Sequence, residues 1–248
     1  MKLVTFNIRY DCGHDGIQNF SFRKPLIMEK IRREQPGIIC FQEVLPHVAA
    51  WLKENLQEYY IVGCPRGPAL DDEQVCIAFR PDQFNLMKMD TYWLSPTPAI
   101  PGSRYEVQSI CPRVCTELTL QELSSGQVFR LVNTHLDHEG APARLLAAKQ
   151  ILHELDSAEF FPGVPVILTG DLNAEPDSEE IHLLSAEMEH VTRDVGSTFH
   201  NFGRGKDLQI DYIFTKGAIC CTNTEKWTDC RDGVYLSDHY PVCAELVF

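Results

Sequence analysis

The sequence predicts an α/β fold in which two β-sheets pack face to face with helices on the outside. Three observations predict it. Short β-rich runs alternate with helical patterns along all 248 residues, strand runs outnumber helices, and polar residues recur where the strands end. Hydrophobic residues make up 44% of the chain and charged residues 23%, which suits an ordinary globular protein with a sizeable core. Absence of repeats, low-complexity tracts and Gly/Ser linkers predicts one domain over residues 1–248.

Lys2–Ile8 reads as the first strand. Ser21–Gln35 reads as a helix, with Ser21 as cap, Pro25 near the first turn, Ile27 and Ile31 one turn apart, and Pro36 as a stop. Ile38–Glu43 is a short buried strand and Val48–Leu56 a helix. Strands follow at about Tyr59–Val62, Val75–Arg80, Phe84–Leu94, Val114–Leu120 and Val128–Thr134. Ala143–Leu155 places Leu145, Ala148, Leu152 and Leu155 on one face and reads as an amphipathic helix. Val164–Thr169 is an apolar strand running into Gly170-Asp171. A helix near Ser178–Glu187 precedes strands near Gln209–Thr215 and Val242–Phe248. Gly63–Glu73 and Ser95–Pro112 read as loops flanking a site at the strand ends, which carry Asn7, Glu43, His135, Asp171 and Asp238.

Charge narrows the partners. Twenty-two Lys and Arg against 35 Asp and Glu give a formal net charge of −13. Such a surface repels duplex phosphates, so strong nonspecific DNA binding is not expected and a small or local phosphate substrate is favoured. No apolar run reaches the roughly 18 residues that cross a bilayer, and no membrane partner is expected. Met1-Lys2 leads straight into Leu3-Val4-Thr5-Phe6, which predicts no secretory leader. Of the ten cysteines, Cys40, Cys76, Cys115 and Cys243 sit in apolar runs where a free thiol acts as a small hydrophobe, and no CxxC pair has zinc-finger spacing. A reducing cytoplasm is the expected compartment.

The most telling segment is Leu168–Asn173. Asp171 and Asn173 lie two apart and share one face of an extended backbone; the carboxylate suits a hard cation and the amide suits a phosphate oxygen. Gly170 permits close approach. A Gly-Asp turn closed by an Asx hydrogen bond is the plain alternative. Asp238-His239 can serve metal and phosphate together, or simply cap a turn before the last strand. Asp211 lies inside the apolar run Ile210–Phe214, where a charge is costly unless paired, and a histidine is its natural partner. His135 ends another apolar strand. Glu43 and Asn7 add a carboxylate and an amide after two more.

Asn7, Gln42-Glu43, Asn133–His138, Gly170–Asn173, Ile210–Phe214 and Ser237–Val242 occur in the order and spacing of the endonuclease/exonuclease/phosphatase superfamily, which the chain resembles from residue 7 to 242. Arg9-Tyr10-Asp11, Tyr92–Pro96, Arg113 and Thr198–His200 look like the bacterial branch closest to nocturnin and the poly(A) deadenylases. The resemblance implies a DNase I-like four-layer α/β sandwich and a Mg2+ or Mn2+ cofactor. It implies Glu43 as principal metal ligand, with Asn7, Asp171 and Asp238 in the metal's surroundings. Asp171 and Asn173 would handle the attacking water and the phosphate, and Asp211 would orient His239 against the scissile phosphate. His135 would stabilise the phosphate or protonate the leaving oxygen. Asn7, Arg9, Arg113 and His200 are expected substrate contacts. Trp93 is expected as a core or loop anchor rather than a stacking wall, and the irregular Gly67–Glu73 stretch leaves Glu73 unassigned.

The function so implied is a divalent-metal-dependent phosphoester hydrolase, phosphodiesterase or phosphatase, using in-line water attack on a nucleotide-like, short RNA or other small phosphorylated substrate. A DNA endonuclease or exonuclease is the alternative. The abasic-site branch, however, opens Asn-x-Asn-Gly where this chain reads Asn7-Ile8-Arg9-Tyr10. The Trp-Cys-Asp-Arg segment of the inositol-phosphate 5-phosphatases is also missing. An inactive phosphate-binding module on the same scaffold would require a lost metal ligand, and none is lost.

Overall fold

The computed structural model describes residues 1–157 and 160–248. Two six-stranded mixed sheets carry the chain. The first has the order β11 (Cys220–Lys226), β14 (Val242–Val247), β1 (Lys2–Asn7), β2 (Ile38–Val44), β4 (Gln74–Phe79), β3 (Tyr60–Val62). The second has the order β5 (Phe84–Trp93), β6 (Val114–Glu122), β7 (Val128–His135), β8 (Val166–Asp171), β10 (Asp211–Lys216), β9 (Glu189–His190). Each sheet centres on one parallel pair, β1 with β2 and β7 with β8. A small hairpin, β12 (Cys230–Arg231) and β13 (Val234–Tyr235), stands apart.

Alternation along the central strands builds the layers. Leu3, Ile38, Cys40, Leu131, Ile167 and Ile213 point between the sheets into one apolar layer. Their neighbours Val4, Ile39 and Phe41 point outward to α1 (Phe20–Glu34) and α2 (Pro46–Asn55). Val132, Leu168 and Phe214 point the other way to α3 (Ala141–Asp156) and α4 (Glu179–Glu187). Strands buried on both faces read as continuous apolar runs, so their spans match the expected ones within two or three residues. The four-layer sandwich is the observed architecture.

Two differences have clear causes. α1 starts after Asn19 rather than at Ser21 and runs through Pro25. The strands β9, β11, β12 and β13 were not expected, because they are short or exposed: Cys220–Lys226 is a half-exposed, mostly polar edge strand held by backbone pairing to β14.

Candidate active site

Because both parallel pairs end at the same edge of the sandwich, their terminal polar residues meet. Asn7 ends β1, Glu43 lies at the end of β2, His135 ends β7 and Asp171 ends β8. Register completes the set: His135 and Asp211 are the direct cross-strand partners of Asp171 on either side. Gly170 makes this possible. Its φ is +147°, and a Cβ there would lie 2.0 Å from the Thr134 carbonyl oxygen of the neighbouring strand. Below the site Gln42 and Asn133 tie the sheets together, the Gln42 amide donating to Asn133 Oδ1 at 2.7 Å and the Asn133 amide to the carbonyls of Phe41 and Cys76.

Glu43 (φ +61°), Arg9 (φ +58°) and Asn173 (φ +49°) all sit in the left-handed region, where non-glycine residues store strain that the surrounding bonds must hold. Those bonds are present. Glu43 accepts from the Asn7 amide at 2.9 Å and from the Tyr10 backbone N–H at 2.8 Å. Arg9 donates its backbone N–H to Asn7 Oδ1 at 3.0 Å, and Asn173 donates its own to Asp171 Oδ1 at 2.9 Å. The Asn7 amide also donates to Asp171 Oδ2 at 2.9 Å, so Asn7 braces the two carboxylates against each other.

These groups floor a cleft of about 540 Å3. One wall carries Arg66, Glu73, Arg113 and His138; the other carries Phe199, Asn201, Leu208 and Ile210. Asp171 is enclosed. Burial, reinforced by Asp211, pushes its carboxyl up to about 7 against the opposing effects of His239 and the Asn7 amide. For His239, burial alone would lower the pKa, but the charges of Asp211 and Asp171 and the 2.8 Å bond from Nδ1 to Asp211 Oδ2 raise it to about 10. His239 is therefore an imidazolium at neutral pH, with Nδ1–H on Asp211 and Nε2–H toward the cleft.

His135 has the opposite character. Burial and then the nearby Arg113 and Arg66 hold its pKa well below the usual range. The Asn173 amide, oriented by donation to the Leu136 carbonyl at 3.0 Å, donates to His135 Nε2 at 2.9 Å, so that nitrogen carries no proton. The 3.4 Å approach of His135 Nε2 to Asp171 is therefore not an ion pair. The expectation that His135 protonates a leaving oxygen meets this obstacle at Nε2.

Two groups of three side chains can offer ligand atoms within 4.8 Å of one another among the described residues: Glu43, His135 and Asp171, and Asp171, Asp211 and His239. The second is already satisfied internally by the His239 proton. In the first, the carboxylates of Glu43 and Asp171 fit a hard divalent cation, Asp171 being held near neutrality for want of positive charge, whereas His135 could join them only if Asn173 released its Nε2.

Other expected residues fall as follows. Arg9, Arg113, Asp238 and Asn173 line the cleft. Asn7 is buried beneath it; its amide nitrogen braces Glu43 and Asp171, and its amide oxygen accepts the Arg9 backbone N–H with one lone pair left over. His200 is not part of the lining. It stacks on Tyr240 at 3.9 Å and caps a turn through the Gly203 N–H, so its polarity serves the fold. Trp93 anchors a loop by donating to the Arg66 carbonyl at 2.7 Å. Glu73 lines the cleft, its pKa raised to about 7 by burial and then by Glu43.

Tyr10, Phe199 and Ile210 were read within their motifs without being assigned to the site, and Arg66 and Leu208 escaped the sequence reading, because loop residues carry no periodicity. Arg23 also escaped it. Fully buried, it donates to the carbonyls of Ile8, Arg9, Gln18 and Leu236 and so fixes the turn after β1.

With this geometry described, similarity to known proteins can be set beside it. Residues 4–239 match the Endonuclease/Exonuclease/phosphatase family. An endonuclease/exonuclease/phosphatase from Bacteroides vulgatus superposes with a TM-score of 0.92 at 28% identity, over 99% of this chain and 98% of that one. A mannosyl-6-phosphatase from Bacteroides thetaiotaomicron superposes with a TM-score of 0.90 at 25% identity over 100% of both chains. Nocturnin from Drosophila melanogaster is 30% identical over 175 residues, which are 66% of this chain but 26% of that protein. This chain thus spans about a quarter of the length of that relative.

Proposed function

The chain belongs to the endonuclease/exonuclease/phosphatase family, and on that premise we propose that it is a Mg2+- or Mn2+-dependent phosphoester hydrolase acting on a small phosphorylated substrate. The observation that carries this reading is the contact chain Glu43–Asn7–Asp171 running on to the Asp211–His239 pair, with Glu43, Asp171 and His239 at the floor of one cleft and Asn7 and Asp211 behind them. Glu43 and Asp171, with His135 beside them, would hold the ion. When bound it polarises a phosphoryl oxygen and offsets the negative charge that grows during in-line displacement.

The chain's own groups do the rest. The His239 Nε2–H donates to a phosphoryl oxygen, and Asp211 keeps that proton in place by holding Nδ1. Asp171 receives the proton of the attacking water on the carboxylate lone pair that the ion, Asn7 and Asn173 leave free. Asn173 fixes His135 and braces Asp171 through its backbone N–H. Arg113 is 4% exposed; its Nη2 meets His138 Nδ1 at 2.9 Å and its Nε lies 3.8 Å from Asp137, while Nε and Nη1 make no hydrogen bond among the described residues, and it faces the substrate from the cleft wall.

Small substrates are supported by the cleft's volume, which falls in the range of small-molecule sites, and by the net charge of −13. Similarity over the whole chain to a mannosyl-6-phosphatase supports sugar phosphates, and the resemblance of Arg9–Asp11, Tyr92–Pro96 and Thr198–His200 to the deadenylase branch supports nucleotides and short RNA. Free thiols at Cys12, Cys64 and Cys111 suit a reducing compartment such as the cytoplasm.

The test is a panel of p-nitrophenyl phosphate, bis-p-nitrophenyl phosphate, mannose 6-phosphate, mononucleotides and short RNA, with and without Mn2+, beside Glu43→Ala. Metal-dependent release that Glu43→Ala loses is expected. Release independent of both metal and Glu43 would contradict the proposal.

A further inference from the structure

Arg9 is held on every side. Its guanidinium grips Asp15 through two bonds, Nε to Oδ2 at 3.2 Å and Nη2 to Oδ1 at 3.3 Å. It lies 3.6 Å from Asp238 Oδ2 and packs 4.5 Å above the Tyr10 ring. Its backbone is fixed at both ends, the N–H on Asn7 Oδ1 at 3.0 Å and the carbonyl on Arg23 Nη2 at 3.0 Å. Asp238 is committed too, accepting the Ser237 hydroxyl on Oδ1 at 3.1 Å while Oδ2 faces Arg9. Although Asp238 is 5% exposed and lines the cleft, neither group of converging ligand atoms includes it. A guanidinium cannot be titrated away under any condition the fold survives.

We propose that Arg9 stands in for a second divalent ion: its guanidinium, anchored on Asp15, sits against Asp238 Oδ2 where such an ion would bind, so Asp238 stays outside the metal's coordination shell and the cleft holds a single ion on the Glu43–Asp171 side. The inference rests on the metal-dependent reading above and narrows it. Asp238 becomes a positioning residue that aims Arg9. A fixed guanidinium at that place remains whether or not metal is bound, and by filling the space beside Asp238 Oδ2 it leaves a second dication no room to be coordinated there.

The experiment is calorimetric titration of metal-stripped protein with Mn2+, with free Mn2+ counted in parallel by its paramagnetic resonance signal. The wild type is expected to bind one ion. Asp238→Asn is expected to keep the affinity for that ion within about fivefold, whereas losing a true ligand or its close support costs about tenfold to a hundredfold. Arg9→Met, which keeps the stem and removes the charge, is expected to take up a second ion, and Arg9→Lys to return to one. Two ions on the wild type, a larger loss in Asp238→Asn, or Arg9→Met remaining at one ion would overturn the proposal. If Arg9→Met does not fold, wild-type stoichiometry and Asp238→Asn still decide it. No Mn2+ binding to any form would instead defeat the metal-dependent reading itself.

Discussion

Two histidines face Asp171 from opposite sides of the cleft, equally enclosed, and they carry different charges. On the β14 side His239 is held protonated to about 10, because Asp211 and Asp171 outweigh the cost of burial. On the β7 side His135 is held neutral, because burial acts with Arg113 and Arg66 rather than against carboxylates. Burial is common to both, so the neighbours decide. The result is a cleft with a proton donor on one side and an unprotonated imidazole on the other, with a carboxyl near neutrality between them. In the metal-free protein the donor for a phosphoryl oxygen is thus already separated from the carboxyl that a cation would ionise.

Removing the group between the two walls should have the largest effect. Asp171→Ala should lower turnover by about a thousandfold or more, while the thermal melt stays level or rises, since an enclosed carboxyl held near neutrality is costly to the fold. Steady-state kinetics beside calorimetric melting checks both halves; retained turnover would remove Asp171 from the mechanism.

The next break is on the protonated side. Asp211→Asn keeps a hydrogen-bonding partner but removes the charge, and should cost about a hundredfold in turnover. In metal-stripped protein the His239 pKa should fall, read by NMR titration of its ring protons. The linkage follows in sign. A folded pKa raised above the ordinary histidine value contributes stability that is complete below about pH 6.5 and is lost as pH climbs toward 10. Melting of the stripped wild type should therefore fall across that window, and Asp211→Asn should flatten the fall. An unchanged His239 titration would end the pairing.

A smaller effect is expected on the neutral side. Asn173→Ala frees His135 Nε2 from its donor, so the His135 pKa should rise and turnover fall by about tenfold. The smallest belongs outside the cleft. His200→Phe keeps the stack on Tyr240, removes a buried Nε2 that makes no hydrogen bond, and removes the Nδ1 acceptor of the Gly203 N–H, which keeps the His200 carbonyl as its other acceptor. Turnover should stay within about twofold and stability within roughly 1 kcal/mol. A large kinetic loss there would return His200 to the site.

What could be read in the letters follows the same physics. An acid inside Ile210–Phe214 or at the end of Val166–Asp171 is conspicuous because an apolar strand makes it expensive, so Asp211 and Asp171 stood out. The two-sheet layering stood out because central strands buried on both faces are continuous apolar runs. β11 was not legible, since backbone pairing at a half-exposed edge leaves no apolar period. Arg66, Leu208 and Phe199 reach the cleft from loops, where position is set by tertiary contacts. His200 had the right letter beside the right motif, and only its burial revealed that it supports a turn.

The most direct measurement is an anomalous difference map from crystals of the protein soaked in Mn2+. The account predicts one peak, about 2.1 Å from oxygens of Glu43 and Asp171. Peaks lying away from those carboxylates, or none at Glu43, would contradict it.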